Sequence, residues 1–153
     1  ALDDFYTGYQ QTQLRAGEFI QSIRVPLLGS HQHMAVYKVS KRFDQDISAV
    51  CVAFCVSLNN GVITHVRLAF GGVAAVPLRA KKAEQVMLGQ PFGEECIHEA
   101  MGALRDSLTP LSDLRASSAY RMQVSCNLLW KLLLQFSGQR DVPANLGAGL
   151  EHS

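Results

Sequence analysis

A chain of 153 residues that is 48% hydrophobic can bury a sizeable core, and its length fits one domain, or one domain plus a piece of another. A net charge of +1 and a pI near 7.9, with Lys and Arg scattered apart from Lys41-Arg42 and Lys81-Lys82, argue against a nucleic-acid or anionic-lipid partner held by long-range attraction. The longest apolar runs, near Val50 to Leu58 and Leu128 to Leu134, fall short of the roughly 20 residues that span a bilayer, and no basic stretch followed by an apolar one marks a secretory signal, so the expectation is a cytoplasmic protein without a membrane segment.

The first periodic stretch alternates Phe19, Gln21, Ile23 and Val25 against Glu18, Ile20, Ser22 and Arg24, and Pro26 then stops regular pairing; this predicts a strand. A loop from Leu28 to His33 leads to a second strand, Met34 to Ser40. Lys41, Arg42, Asp44 and Asp46 follow between Ser40 and Ser48, four charges set between two strand-like runs. A solvated turn whose charges neutralise one another is the simplest account of them; charge at a strand end also suits a ligand. Ser48 to Leu58 is apolar and β-branched, as expected in the middle of a sheet, and Asn59-Asn60-Gly61 tolerates the positive φ angles of a tight hairpin. The returning strand, Val62 to Phe70, is expected to place Val62, Thr64, Val66, Leu68 and Phe70 on one face, and Ile63, His65, Arg67 and Ala69 on the other.

From Pro77 the period changes to helical, with Leu78, Ala80, Ala83, Val86, Met87 and Leu88 apolar and Gly89 as the stop. A second helix is expected from about Gly93 to Leu108, with Glu94 and Glu95 complementing the dipole of its first turn. The third begins near Ser118 and carries Met122, Cys126, Leu129, Leu133 and Phe136 on a stripe widened by Leu128, Trp130, Leu132 and Leu134, a breadth that implies burial on two sides. Residues 139 to 153, with Pro143, Gly147 and Gly149, are expected to form a flexible tail. The fold class that results is α+β, a three- to four-stranded antiparallel sheet packed on one face by about three helices.

Cys51, Cys55, Cys96 and Cys126 lack the spacing of a zinc or iron-sulfur site and read as buried reduced thiols, and His31 and His33 have no nearby third ligand. Asp113 can pair with Arg115 or Arg121, and such pairs suit a structural role. No residue stands out as catalytic, and no metal site is expected.

In their order and spacing, Tyr6 to Thr12, Gly17 to Pro26, the charged turn from Tyr37 to Ser48, Ala69 to Ala74 and Pro110 to Arg121 together resemble the C-terminal part of the flavoprotein component of the molybdenum hydroxylases, and among these the small subunit of bacterial xanthine dehydrogenase. The resemblance implies that residues 1–26 end a preceding FAD-binding subdomain and supply a linking strand, and that residues 27–138 form a carbon monoxide dehydrogenase flavoprotein C-terminal-like domain. It implies that Lys38, twelve residues after Pro26, approaches the flavin ring and that Ile20 packs against it. Tyr9 would border the nicotinamide side. Asp46, with Asp44 and Arg42 beside it, would lie on the flavin loop that governs approach of NAD. FAD would be shared with an upstream domain, and the lack of an initial Met agrees with missing sequence there. Iron-sulfur clusters and molybdopterin would belong to partner portions of the complex, none bound by this chain. The implied function is a share in passing electrons from purine hydroxylation to NAD+, the fragment alone being inactive. The alternative is a catalytically silent docking or dimerisation module, a possible homo-oligomer, from a flavoprotein serving another substrate such as an aldehyde, carbon monoxide or nicotinate.

Overall fold

Alternation of large apolar with small or polar side chains along two long strands sets the architecture of the computed structural model, which describes residues 2–42 and 47–138. The chain runs α1 (Leu2–Phe5), β1 (Tyr6–Gly8), β2 (Gln11–Thr12), β3 (Gln32–Val39), β4 (Val50–Asn59), β5 (Val62–Gly71), β6 (Leu78–Arg79), α2 (Lys81–Met87), α3 (Glu94–Ser107) and α4 (Ser118–Phe136). Strands β3 to β6 form one antiparallel sheet in sequence order, and β1 pairs with β2 in a small separate hairpin. The molecule is α+β, with α2 and α4 packed against the larger sheet and α3 packed on both of them.

Strand β4 lies inside the sheet, and its burial alternates strictly from Val50 to Ser57. Val50, Val52, Phe54 and Val56 point to the helices and are buried, while Cys51, Ala53, Cys55 and Ser57 point to the other face. Helix α4 covers β4 and also packs on α3, so its broad stripe is buried on two sides, as the sequence implied. Leu128, Leu129, Leu132 and Leu133 are all buried there, each removal from water favouring the fold by about 1.5–3 kcal/mol before entropy is counted. Ser117 caps α4, its Oγ accepting from the Tyr120 N–H at 3.2 Å.

The β4–β5 turn is the two-residue kind that twisted hairpins favour: Asn59 pairs with Val62, and Asn60 and Gly61 take φ values of 49° and 79°. Just beyond it the register shifts, Ser57 pairing with His65 but Leu58 with Ile63. This bulge corrects the expected faces of β5. Thr64 is the extra residue, so Ile63 turns into the core with no exposure, while Val62 and Thr64 face solvent. His65, Arg67 and Ala69 stay on the outer face.

Two further expectations are corrected. Leu78 and Arg79 pair with Phe70 and Ala69 as a fourth strand, so the helix after Pro77 begins only at Lys81. Phe19 to Val25 forms no strand, because no described segment lies beside it to share hydrogen bonds; Phe19, Ile23 and Val25 are exposed by 79%, 79% and 77%. The expected tail, residues 139–153, lies outside the described residues. Among the described residues, no helix is long and apolar enough to cross a membrane.

Candidate functional site

Since adjacent residues of a strand project to opposite faces, Ala35 and Tyr37 of β3 are buried under the helices while Met34, Val36 and Lys38 are exposed on the open face of the sheet. Lys38 pairs across to Cys51, and Cys51 to Gly71, so one row crosses the open face at this end. Its middle residue is small and its last has no side chain, which leaves a shallow floor beside the lysine. The open-face positions of β3 to β5 are Gln32, Met34, Val36, Lys38, Cys51, Ala53, Cys55, Ser57, His65, Arg67, Ala69 and Gly71. None is acidic, and Lys38 and Arg67 give the face a positive field.

The charged turn begins just beyond the Lys38 end of this row. Lys41 and Arg42 are exposed, and Asp44 and Asp46 lie outside the described residues. The turn closes at its root, where the Ala49 N–H donates to the Val39 carbonyl at 2.8 Å. Lys41 and Ala49 border a cavity of about 340 Å³ whose other walls are Arg115, Ala116, Ser117 and Tyr120. Two segments singled out separately in the sequence thus share one hollow.

Behind that hollow is a buried polar node that spacing alone did not reveal. Arg121, in the first turn of α4, is only 2% exposed. Its Nη1 donates to the carbonyls of Ala49 and of Gly72, the latter at 2.6 Å, and its Nη2 donates to Asp113 Oδ1 at 2.6 Å. Asp113 serves both of its candidate partners: Oδ1 also accepts from the N–H groups of Arg115 and Ala116, and Oδ2 from Arg115 Nη1 at 3.0 Å. The Arg115 N–H, then that of Ala116 and the Arg121 guanidinium, hold the Asp113 carboxyl down at about 2. The sequence signal was present in the pairing of Asp113 with two arginines; what it could not supply was the pair of backbone carbonyls.

Other expected site residues are dispersed. Tyr9 stands at the tip of the β1–β2 hairpin, 69% exposed, and Ile20 lies in the unpaired extended segment, 52% exposed. All four thiols are free; Cys96 and Cys126 are buried as expected, but Cys51 and Cys55 are half-buried, because their face of β4 has no helix over it.

Comparison with known proteins places this arrangement. The family described as CO dehydrogenase flavoprotein C-terminal domain matches residues 35–136. The chain belongs to this family. Its relatives include the glyceraldehyde dehydrogenase medium chain of Sulfolobus acidocaldarius, 31% identical over 79% of this chain and 42% of that protein. A putative xanthine dehydrogenase FAD-binding subunit of Escherichia coli K12 is 28% identical over 86% of this chain and 46% of that protein. Among solved structures, a carbon monoxide dehydrogenase from Hydrogenophaga pseudoflava superimposes with a TM-score of 0.78 at 29% identity, covering 84% of this chain and 45% of that one. The chain therefore spans less than half the length of these flavoprotein-type relatives. The matched region begins at Ala35, so Lys38, Ala49, Gly72, Asp113 and Arg121 all fall within it, whereas Tyr9 and Ile20 precede it.

Proposed function

We propose that this chain is the C-terminal wall of an FAD-carrying component of a molybdenum hydroxylase, with Lys38 directed at the electron-rich edge of the flavin ring. The observation that supports this reading is the row Lys38, Cys51, Gly71: an exposed ammonium group beside a shallow, uncharged floor at one end of an acid-free face. A flat aromatic ring fits such a floor. The flavin, when bound, supplies the redox chemistry. Lys38 supplies positive charge where reduction accumulates negative charge, and that charge is worth more once the face is covered and water is excluded. Ile20 would add an apolar contact and Tyr9 a border on the nicotinamide side, once the extended segment is folded against the rest of the subunit. Arg42, Asp44 and Asp46 would set the potential through which NAD approaches.

Within the family, the reading is a xanthine dehydrogenase that passes electrons from purine hydroxylation to NAD+, with iron-sulfur and molybdenum-cofactor portions as partners. The likeness to the Escherichia coli FAD-binding subunit along 86% of the chain supports it. The test is the full-length subunit with Lys38→Ala. The expected result is a yellow wild-type subunit and a variant whose flavin affinity or NAD+ reduction falls by about tenfold, the loss of one charge-assisted contact. Unchanged binding and turnover would remove Lys38 from the site, and holoenzyme inactive on xanthine but active on an aldehyde would reassign the substrate.

A second reading has its own observation. Phe19, Ile23, Val25 and Leu27 are largely exposed in a segment that has no strand partner among the described residues, which suits a docking or dimerisation module. A dimer in light scattering, with no flavin binding by the full-length subunit, would favour it.

A further inference from the structure

Arg121 sits on the helix side of the sheet, yet its two carbonyl partners belong to the residues that bracket the Lys38 row. Ala49 immediately precedes Val50, where β4 begins, and Gly72 immediately follows Gly71, where β5 ends. One guanidinium nitrogen therefore spans the open end of the β4–β5 pair, and Asp113 fixes the guanidinium from the other side at 2.6 Å. The approach is close. A Cβ built on Gly72 would lie 2.7 Å from the Ala49 carbonyl oxygen, and Gly72 has a φ of +81° that favours glycine. Without the guanidinium, two buried carbonyl dipoles would face one another with no donor between them, and the strand ends would part to rehydrate.

We propose that Asp113 and Arg121 are positioning residues for the Lys38 site: they hold the roots of the charged turn and of the Gly71-Gly72 turn together, and so fix where the Lys38, Cys51, Gly71 row stands. Neither residue touches the flavin. The inference rests on the flavin reading above for its functional consequence, but the positioning itself can be measured on the chain alone. Lysine cannot replace this arginine, because one ammonium lacks the planar fork that serves carbonyls and carboxylate at once.

The experiment compares Arg121→Lys and Arg121→Gln with Ile63→Val. Ile63 is fully buried at the far end of the same strand pair; its partner Leu58 is seven residues from Cys51 along β4, about 23 Å away at ~3.3 Å per residue. The first readout is the rate at which a maleimide labels Cys51 in this chain, with Cys55 as the internal reference on the same face. Loss of the clamp is expected to raise the Cys51 rate relative to Cys55 by about tenfold in Arg121→Gln and less in Arg121→Lys, while Ile63→Val leaves the ratio unchanged. The second readout is the flavin reduction potential of the full-length subunit, which is expected to shift in both Arg121 variants and not in Ile63→Val at matched melting temperature. An unchanged Cys51 to Cys55 ratio in Arg121→Gln overturns the positioning role, even if flavin binds normally. A raised ratio in a protein whose wild type binds no flavin upholds the positioning role and removes the flavin reading instead. An altered ratio with an unaltered potential overturns the functional consequence.

Discussion

Gly72→Ala tests the close approach at the end of the sheet, and Gly89→Ala is its control. Both glycines have nearly the same backbone, φ of +81° and +80°, so both substitutions place an L side chain in the left-handed region. That costs about 1–2 kcal/mol, partly offset by the ~0.4–1 kcal/mol that alanine contributes by restricting the unfolded chain. The surroundings differ. A Cβ at Gly89 meets nothing within 4 Å, whereas one at Gly72 meets the Ala49 oxygen at 2.7 Å, its carbon at 3.3 Å and Arg121 Nη1 at 3.4 Å. Backbone on one side and a buried guanidinium on the other leave no flexible group to yield. The strain relaxes by pushing the Ala49 carbonyl off Arg121, which forfeits a hydrogen bond to a charged donor worth about 1.5–3 kcal/mol. Gly89→Ala should therefore destabilise the chain by roughly 1 kcal/mol and Gly72→Ala by roughly 2–4 kcal/mol. Urea denaturation followed by far-UV circular dichroism measures both, provided the slope against urea is unchanged between variants. Equal losses at the two positions would refute the claim that Ala49, Gly72 and Arg121 form a stiff junction.

The Asp113 carboxyl makes a second test because its pKa lies at about 2 in the folded chain, below its ordinary value of 3.8. A lowered folded pKa contributes stability above the unfolded value that is lost as pH falls through the folded one, so Asp113→Asn should be less stable than wild type at pH 7, the gap closing between about pH 4 and pH 2. Urea midpoints across that range check it, and a gap that does not vary with pH would remove the charge from the account. Ser117→Ala removes the N-cap hydroxyl of α4, leaving Ser112 Oγ on the Ser118 N–H, and should lower stability by about 1 kcal/mol, measured the same way; a loss below the error of the fit would mean that the Ser117 hydroxyl does not fix the start of the helix.

What the sequence made legible follows from how local each signal is. The hairpin at Asn60-Gly61, the unbroken run of β4 and the stripe of α4 are carried by neighbouring residues, and each is found where expected. The bulge at Thr64 escaped because a period of two says nothing about which residue the partner strand skips. The pattern of Phe19 to Val25 suits a strand, but a strand needs a neighbour to bond with, and the described residues supply none. Lys38 was legible as a strand residue, but its face was not, since Met34 and Val36 on its side are as apolar as Ala35 and Tyr37 on the other. The clamp was not, since the bonds from Arg121 to Ala49 and Gly72 join residues 72 and 49 positions apart through backbone atoms that every residue possesses.

Tyr37 and Lys38 show how these long-range ties converge on the open face. They are neighbours in β3 and project to opposite sides. The Tyr37 hydroxyl donates to Gln135 Oε1, and the Lys131 ammonium lies 5.0 Å from its ring centroid, both partners coming from α4. Burial lowers the pKa of Lys131 and raises that of Tyr37, as expected for groups that the strand and helix enclose together. The same helix carries Arg121 ten residues earlier, about 15 Å along its axis. One rigid element thus grips the strand beneath Lys38 at one point and the β4–β5 end at another. Because Lys38 belongs to an edge strand, its backbone pairs on one side only among the described residues, and this double grip by α4 is what holds the backbone beneath it in place.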